Sequence, residues 1–142
     1  MIVVDTGVLV AAVNRRDRFH ASCAAFLDEA TEPLVVPAMV VTEVCYLLAR
    51  PARGGPELAG VFLDALAAGS LPVDAPAPAD FARVAHLVRR YADLPLDAVD
   101  AAVVATAERL GAVKVATVDR KDFRIVAPAH CEAFELVPAE LG

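Results

Sequence analysis

The sequence predicts a three-layer α/β/α fold built on a small, mainly parallel sheet. Short apolar segments alternate along the chain with longer segments whose apolar residues recur at helical spacing. Strands that alternate with helices form a parallel sheet covered by helices on both faces. The length of 142 residues predicts a single domain that spans residues 1–142.

The N-terminal third contains two predicted strands and three predicted helices. Apolar Phe19, Cys23, Phe26 and Leu27 lie on one helical face, and Pro37 suits the first turn of a helix. In order, the elements are a strand at 2–5, helices at 6–13 and 19–30, a strand at 34–36 and a helix from 37 to about 50.

A loop rich in Pro and Gly at 51–56 leads into the rest of the chain. The most regular predicted helix covers 97–110, and Gly111 ends it. Around it we predict a helix at 57–68, a strand at 71–73, a connection with two prolines at 75–79, a helix at 80–91, and strands at 113–118 and 134–137.

Hydrophobic residues make up 58% of the chain, and the mean hydropathy is +0.54. The longest stretch without Asp, Glu, Lys or Arg covers only 33–42, whereas a membrane span needs about 20 apolar residues. We therefore expect no membrane span and attribute the apolar excess to close helix packing and a partner-covered surface. Three widely spaced cysteines, and no basic segment before the first strand, predict a reduced cytoplasmic chain.

The net charge of −6 argues against nucleic-acid binding, because phosphate contacts normally come from Lys and Arg. Cations bound by acidic residues would reverse the local charge and remove this objection at such a site. The basic residues Arg15, Arg16 and Arg18, and later Arg120, Lys121 and Arg124, would then flank such a site and hold backbone phosphates of a nucleic acid, or else form solvated faces.

Two carboxylates follow predicted strands directly. Asp5 ends the first strand, and Asp119 follows the strand at 113–118. The carboxyl ends of parallel strands share one edge of the sheet, where ligands bind. Both residues are therefore site candidates, and the alternative for each is an N-cap on the following helix.

Two more carboxylates lie on predicted inward helix faces. Glu43 is the only charged residue between Pro37 and Arg50, so it is either a site residue, an exposed Glu between core positions or a partner of a buried arginine. Asp100 points inward in the first turn of its helix, although Asp97 and Asp100 also resemble a capping box. We expect Asp97 itself to be a supporting or substitute ligand.

Four inward carboxylates in one pocket require cations, because each raises the pKa of the others. All-oxygen ligands suit Mg²⁺ or Mn²⁺, which serve phosphoryl-transfer chemistry. The chain has no HExxH, GxSxG, P-loop or GxGxxG motif.

Four ordered segments resemble the PIN-domain ribonucleases, specifically the VapC toxins of toxin–antitoxin pairs. They are IVVDTG at 2–7, VTEV at 41–44, LDAVDAA at 96–102 and ATVDRKDF at 116–123. The resemblance implies a Mg²⁺-dependent endoribonuclease, with Mn²⁺ as a substitute, a homodimer and a VapB-type antitoxin. It assigns the catalytic acids to Asp5, Glu43, Asp100 and Asp119, and our hypothesis for the mechanism takes Asp5 and Asp100 as the principal metal ligands. Thr6 and Thr117 would support the site, and Asp122 competes with Asp119 for the last acidic role.

Other functions fit the residues less well. Asp5-Thr6-Gly7 also matches the aspartic-protease triplet, but that fold is β-rich and needs two such triplets. A phosphatase with an Asp-x-Asp nucleophile is disfavoured because that pattern is absent after the first strand. An inactive PIN-like binding scaffold and an RNA-processing nuclease without toxicity remain the alternatives.

Overall fold

The computed structural model describes residues 1–142 and has five strands and seven α-helices. All five strands are parallel, in the order β3-β2-β1-β4-β5, so the predicted α/β class and parallel sheet are confirmed. The strands are β1 Ile2–Val4, β2 Leu34–Pro37, β3 Val73–Asp74, β4 Lys114–Ala116 and β5 Glu135–Val137. The helices are α1 Thr6–Val13, α2 His20–Glu29, α3 Ala38–Leu48, α4 Pro56–Ala67, α5 Pro78–Arg90, α6 Ala98–Leu110 and α7 Arg120–Ile125, and a 3-10 turn covers Pro51–Arg53.

β1 is the central strand and is buried on both faces. Val3 pairs with Val35 of β2 and with Val115 of β4. A strand enclosed by helices on both sides must be apolar throughout, which explains the uninterrupted Ile2–Val4 run. Beyond β1, the Asp5 N–H still donates to the Ala116 carbonyl at 2.9 Å, so the first acidic residue is held at the sheet edge.

α6 is the most deeply buried helix. Every residue from Ala101 to Ala107 is buried, and α6 packs against α3, α5 and the sheet. The many alanines allow this close approach of backbones. Gly111 ends the helix in the left-handed conformation, with φ of 70°, as predicted for a glycine in this position. No helix has both the length and the apolar content that a membrane crossing demands.

Several element boundaries differ from the predictions. Pro37 ends β2 in an extended conformation and precedes α3 instead of beginning it. β3 lies at Val73–Asp74 because Val36 and Pro37 of β2 pair there, two residues after the predicted start. α5 begins at Pro78, where the missing N–H costs nothing, and the Asp80 carboxylate accepts the Ala77 N–H at 3.0 Å. α7 was not among the predicted elements, because its six residues are too few to show a helical period; only the alternative of an N-cap at Asp119 implied a helix here.

The first turn of α1 lies directly against the segment that follows β4. A Cβ atom on Gly7 would lie 2.3 Å from Cγ2 of Val118, whose branched side chain has little freedom to move. Gly7→Ala is therefore expected to lower the free energy of unfolding by about 1–3 kcal/mol.

Urea unfolding of Gly7→Ala and Gly60→Ala tests this close approach. Gly60 lies within α4, and a Cβ atom added there would have no neighbouring atom within 4 Å, so its replacement should raise stability by about 0.5–1 kcal/mol. Equal effects of the two substitutions would contradict the packing of α1 against Val118.

Candidate active site

A cavity of about 430 Å³ opens at the carboxyl ends of the central strands. Acidic side chains from five separate parts of the chain line it, and we call it the acidic cavity. Its polar and charged lining consists of Asp5, Thr6, Asp17, Arg18, Glu43, Arg53, Asp97, Asp100 and Asp119. The structure thus brings together all four predicted catalytic acids.

Asp5 lies at the floor of the acidic cavity and is only 5% exposed. The hydroxyl of buried Thr117 lies 2.9 Å from Asp5 Oδ2 and donates a hydrogen bond to it, whereas Asp5 Oδ1 is buried without a partner. The carboxylate does not cap α1. Burial raises the pKa of Asp5 to about 6, against the lowering effects of the Thr6 backbone N–H and the Thr117 hydroxyl.

Thr117 is the only side chain that donates a hydrogen bond to Asp5. Thr117→Val removes this donor without changing the side-chain volume much, so it should weaken divalent-metal binding in the acidic cavity by about 10–100-fold, as loss of such supporting contacts does at metal sites. Thr117→Ser keeps the hydroxyl and serves as the control in calorimetric metal titrations. A Val variant that binds metal as tightly as the Ser variant would contradict this supporting role.

Asp100 lies half-buried at the start of α6. Asp97 is the N-cap, and its Oδ1 accepts the Asp100 backbone N–H at 2.8 Å. Only this half of the capping box forms, so the Asp100 carboxylate is free to face the cavity. Burial and then the neighbouring Asp5 and Asp97 raise the pKa of Asp100 to about 8.

Glu43 and Asp119 complete the acidic lining. Glu43 lies on α3, partly exposed, and forms no ion pair, so the alternative of a buried pair with arginine does not apply. Asp119 precedes α7 but does not cap it with its side chain. Asp122 does not line the cavity; burial and then Asp119 raise its pKa. The geometry therefore favours Asp119 over Asp122 as the fourth acid.

The donor set of the acidic cavity fits a hard divalent cation. The unpartnered Asp5 Oδ1 and the raised pKa values of Asp5 and Asp100 mark charge that the protein itself does not neutralise. No three acidic, histidine or cysteine side chains converge closely enough to enclose one ion together. That spacing is compatible with a hydrated divalent ion that takes only one or two carboxylates directly.

The predicted supporting and basic residues lie in different places. The Thr6 hydroxyl is buried without a hydrogen-bond partner, so its contribution to Asp5 comes from the backbone N–H. Arg120 turns away from the cavity and donates to the carbonyls of Pro138 and Ala139. Lys121 is exposed on α7 and does not line the cavity either.

Arg18 lines the acidic cavity from the loop between α1 and α2, and Arg53 lines it from the 3-10 turn. The sequence analysis missed Arg53 because it lies in a segment predicted only as a Pro- and Gly-rich loop. The only sequence signal for Arg53 was its position before the glycine pair 54–55, which indicates a turn. The sequence of a loop does not show which distant residues lie next to it in space.

The fold and the cavity together define an α/β domain with a carboxylate site of the kind used for metal-assisted phosphoryl transfer. The chain belongs to the PIN-domain family, whose family model matches residues 2–128. It is 30% identical over 137 residues to Ribonuclease VapC26 of Mycobacterium tuberculosis, an alignment that covers 96% of this chain and 100% of that protein. Nucleases of this family are in general dependent on divalent metal ions.

Solved structures share the fold at low sequence identity. M. tuberculosis VapC20, a toxin that cleaves the sarcin-ricin loop, has a TM-score of 0.74 at 19% identity, over 81% of this chain and 87% of that one. VapBC2 of Rickettsia felis, bound to a DNA fragment from its promoter, has a TM-score of 0.67 at 16% identity, over 96% and 98%. FitAcB of Neisseria gonorrhoeae has a TM-score of 0.54 at 24% identity, over 84% and 88%.

Proposed function

We propose that this chain is a divalent-metal-dependent endoribonuclease of the VapC type and the toxin of a toxin–antitoxin pair. The observation that carries the proposal is the meeting of Asp5, Glu43, Asp100 and Asp119 in one cavity at the sheet edge. Membership of the PIN-domain family and the full-length similarity to a VapC ribonuclease support it. Four mutually repelling carboxylates in one cavity destabilise a protein that binds no cation, which argues against an inactive scaffold.

Mg²⁺ is the proposed ion, with Mn²⁺ as a substitute, and Asp5 and Asp100 hold it directly or through water. When bound, such an ion offsets charge on the phosphate and makes a water molecule more acidic. Thr117 orients the Asp5 carboxylate by hydrogen bonding. Glu43 and Asp119 face the same space and complete the binding of a hydrated ion. Hydrolysis leaves a 5′-phosphate and a 3′-hydroxyl.

The proposal includes a VapB-type antitoxin that covers the acidic cavity, and a homodimer of this chain. Eight large hydrophobic side chains are exposed, among them Tyr46 and Phe81, so the surface has apolar area that partners would cover. All three cysteines are free thiols, in agreement with the reducing conditions of the cytoplasm, the proposed location.

The test is cleavage of a mixed RNA pool by purified, antitoxin-free protein. We expect cleavage with Mg²⁺ or Mn²⁺ and none with EDTA or with the Asp5→Asn variant. Cleavage that persists in EDTA or in the variant would contradict the site. A folded protein that neither binds metal nor cleaves RNA would indicate an inactive scaffold, and cleavage without toxicity in cells would indicate an RNA-processing nuclease.

A further inference from the structure

A second cavity, of about 360 Å³, lies next to the acidic cavity, and we call it the outer cavity. Its lining consists of Val13, Asn14, Arg15, Arg16, Pro51, Gly54 and Leu58. The loop between α1 and α2 and the 3-10 turn Pro51–Arg53 with its flanking glycine contribute to both cavities. The two spaces therefore share the same two walls.

The charges of the two cavities are opposite. The acidic cavity has six carboxylates and two arginines, Arg18 and Arg53, whereas the outer cavity has Arg15 and Arg16 and no carboxylate. None of these four guanidinium groups forms an ion pair or a side-chain hydrogen bond, and all four residues are exposed. Four unpaired cations on these two walls make this part of the surface positively charged, and two of them lie beyond the carboxylates in the outer cavity.

Both walls have defined conformations. Asn14 Oδ1 accepts the Arg16 backbone N–H at 3.1 Å, and Asp17 Oδ1 accepts the Phe19 N–H at 2.9 Å. The Arg18 guanidinium lies 4.3 Å from the centroid of the Phe19 ring, which holds it at the cavity rim.

The 3-10 turn is held in the same way. Its Arg53 N–H donates to the Arg50 carbonyl at 2.9 Å. Gly54, with φ of 123°, lies so close to Leu58 that no Cβ would fit. The arginines of both walls are thus presented by ordered backbone, which lowers the entropic cost of holding a ligand.

We propose that the outer cavity holds the phosphate backbone of the RNA strand beside the bond that is cut, with Arg15 and Arg16 at its outer end and Arg18 and Arg53 at the junction. This inference rests on the proposed ribonuclease function and gives the direction in which the strand leaves the acidic cavity. The outer cavity has no aromatic side chain on which a base would stack. Its contacts are therefore to phosphates and independent of sequence.

The side of the acidic cavity next to α7 lacks this surface. Arg120 is engaged with the C-terminal carbonyls, and neither Lys121 nor Arg124 lines a cavity with the carboxylates. An RNA path over α7 would need these residues instead of Arg15 and Arg16. The path over α7 and the path through the outer cavity therefore predict that different substitutions weaken RNA binding.

The experiment measures binding of labelled single-stranded RNA oligonucleotides by fluorescence anisotropy, with Mg²⁺ present and all variants built on Asp5→Asn so that the RNA stays intact. Arg15→Gln/Arg16→Gln should weaken binding about tenfold and reduce the slope of log K against log salt by roughly 0.7 for each lost contact. The loss should be the same for oligonucleotides of different sequence. Arg89→Gln/Arg90→Gln, an adjacent exposed pair at the end of α5, is the charge-matched control.

A salt slope that Arg15→Gln/Arg16→Gln leaves at the control value would overturn the proposal, as would a larger loss from Lys121→Gln/Arg124→Gln. Parallel cleavage assays of the chain with Asp5 intact distinguish failure of the proposed strand path from failure of the proposed ribonuclease function. Metal-dependent cleavage together with an unchanged slope refutes the strand path alone. A chain that neither cleaves nor binds RNA refutes the ribonuclease function together with the path.

Discussion

Replacing Asp100 or Asp5 by asparagine is expected to reduce RNA cleavage by more than about a hundredfold while the fold stays intact. Loss of even a supporting partner of a metal ligand costs about 10–100-fold, and these two carboxylates are the proposed ligands themselves. Asparagine keeps the size of the side chain. In Asp100→Asn the Asp97 cap on the backbone N–H also remains, because it does not involve the Asp100 side chain.

Cleavage rates at saturating Mg²⁺ and circular dichroism check this prediction. Asp93→Asn is the matched control, since Asp93 is an exposed carboxylate shortly before the same helix and forms no ion pair. Activity of Asp100→Asn within a few-fold of the control would remove Asp100 from the proposed ligand set.

The metal-free protein is expected to lose stability as the pH rises from about 4 to about 8. Aspartate in the unfolded chain titrates near 3.9, whereas the pKa is about 6 for Asp5 and about 8 for Asp100 in the folded protein. Between these values the folded state holds more protons than the unfolded state, so each increase in pH favours unfolding. With allowance for the partial exposure of Asp100, we expect a total loss of roughly 4–6 kcal/mol.

Asp100→Asn tests the origin of this loss. At about pH 8, with EDTA, the variant should be more stable than the parent by roughly 1–3 kcal/mol, because it removes a carboxyl group whose ionisation is opposed first by burial and then by the neighbouring carboxylates. Near pH 5 the Asp100 carboxyl is protonated in the folded parent protein, so the difference should shrink markedly. Urea unfolding at several pH values measures both effects. A variant that is less stable than the parent at high pH would contradict a crowded acidic cavity.

Added Mg²⁺ should reduce the pH dependence, since the ion competes with protons for the same carboxylates. Repeating the unfolding series with saturating Mg²⁺ isolates this contribution. The parent should gain stability at high pH, and Asp100→Asn should gain much less because a proposed ligand is missing.

The sequence alone predicted the fold class and the acids that meet in the cavity. Apolar runs such as Ile2–Val4 are too short for helices and therefore indicate strands. Because these strands alternate with helices, a parallel sheet with both faces covered by helices is the arrangement that buries them. In such a sheet, residues that follow strands share one edge. Asp5 and Asp119 were found for that reason, and Glu43 and Asp100 because a carboxylate on an apolar helix face needs a partner.

Only the tertiary structure decided what surrounds these acids. Arg120 directly follows a predicted catalytic acid in the sequence, and Arg53 lies in a loop with no predicted site residue. In the structure Arg120 is engaged with the C-terminal carbonyls, whereas Arg53 lines the acidic cavity. The position of α7, a helix too short to predict, likewise decided that Asp119 lines the acidic cavity and Asp122 does not. The direction of a loop side chain depends on contacts with distant parts of the chain, and no local pattern of residues encodes those contacts.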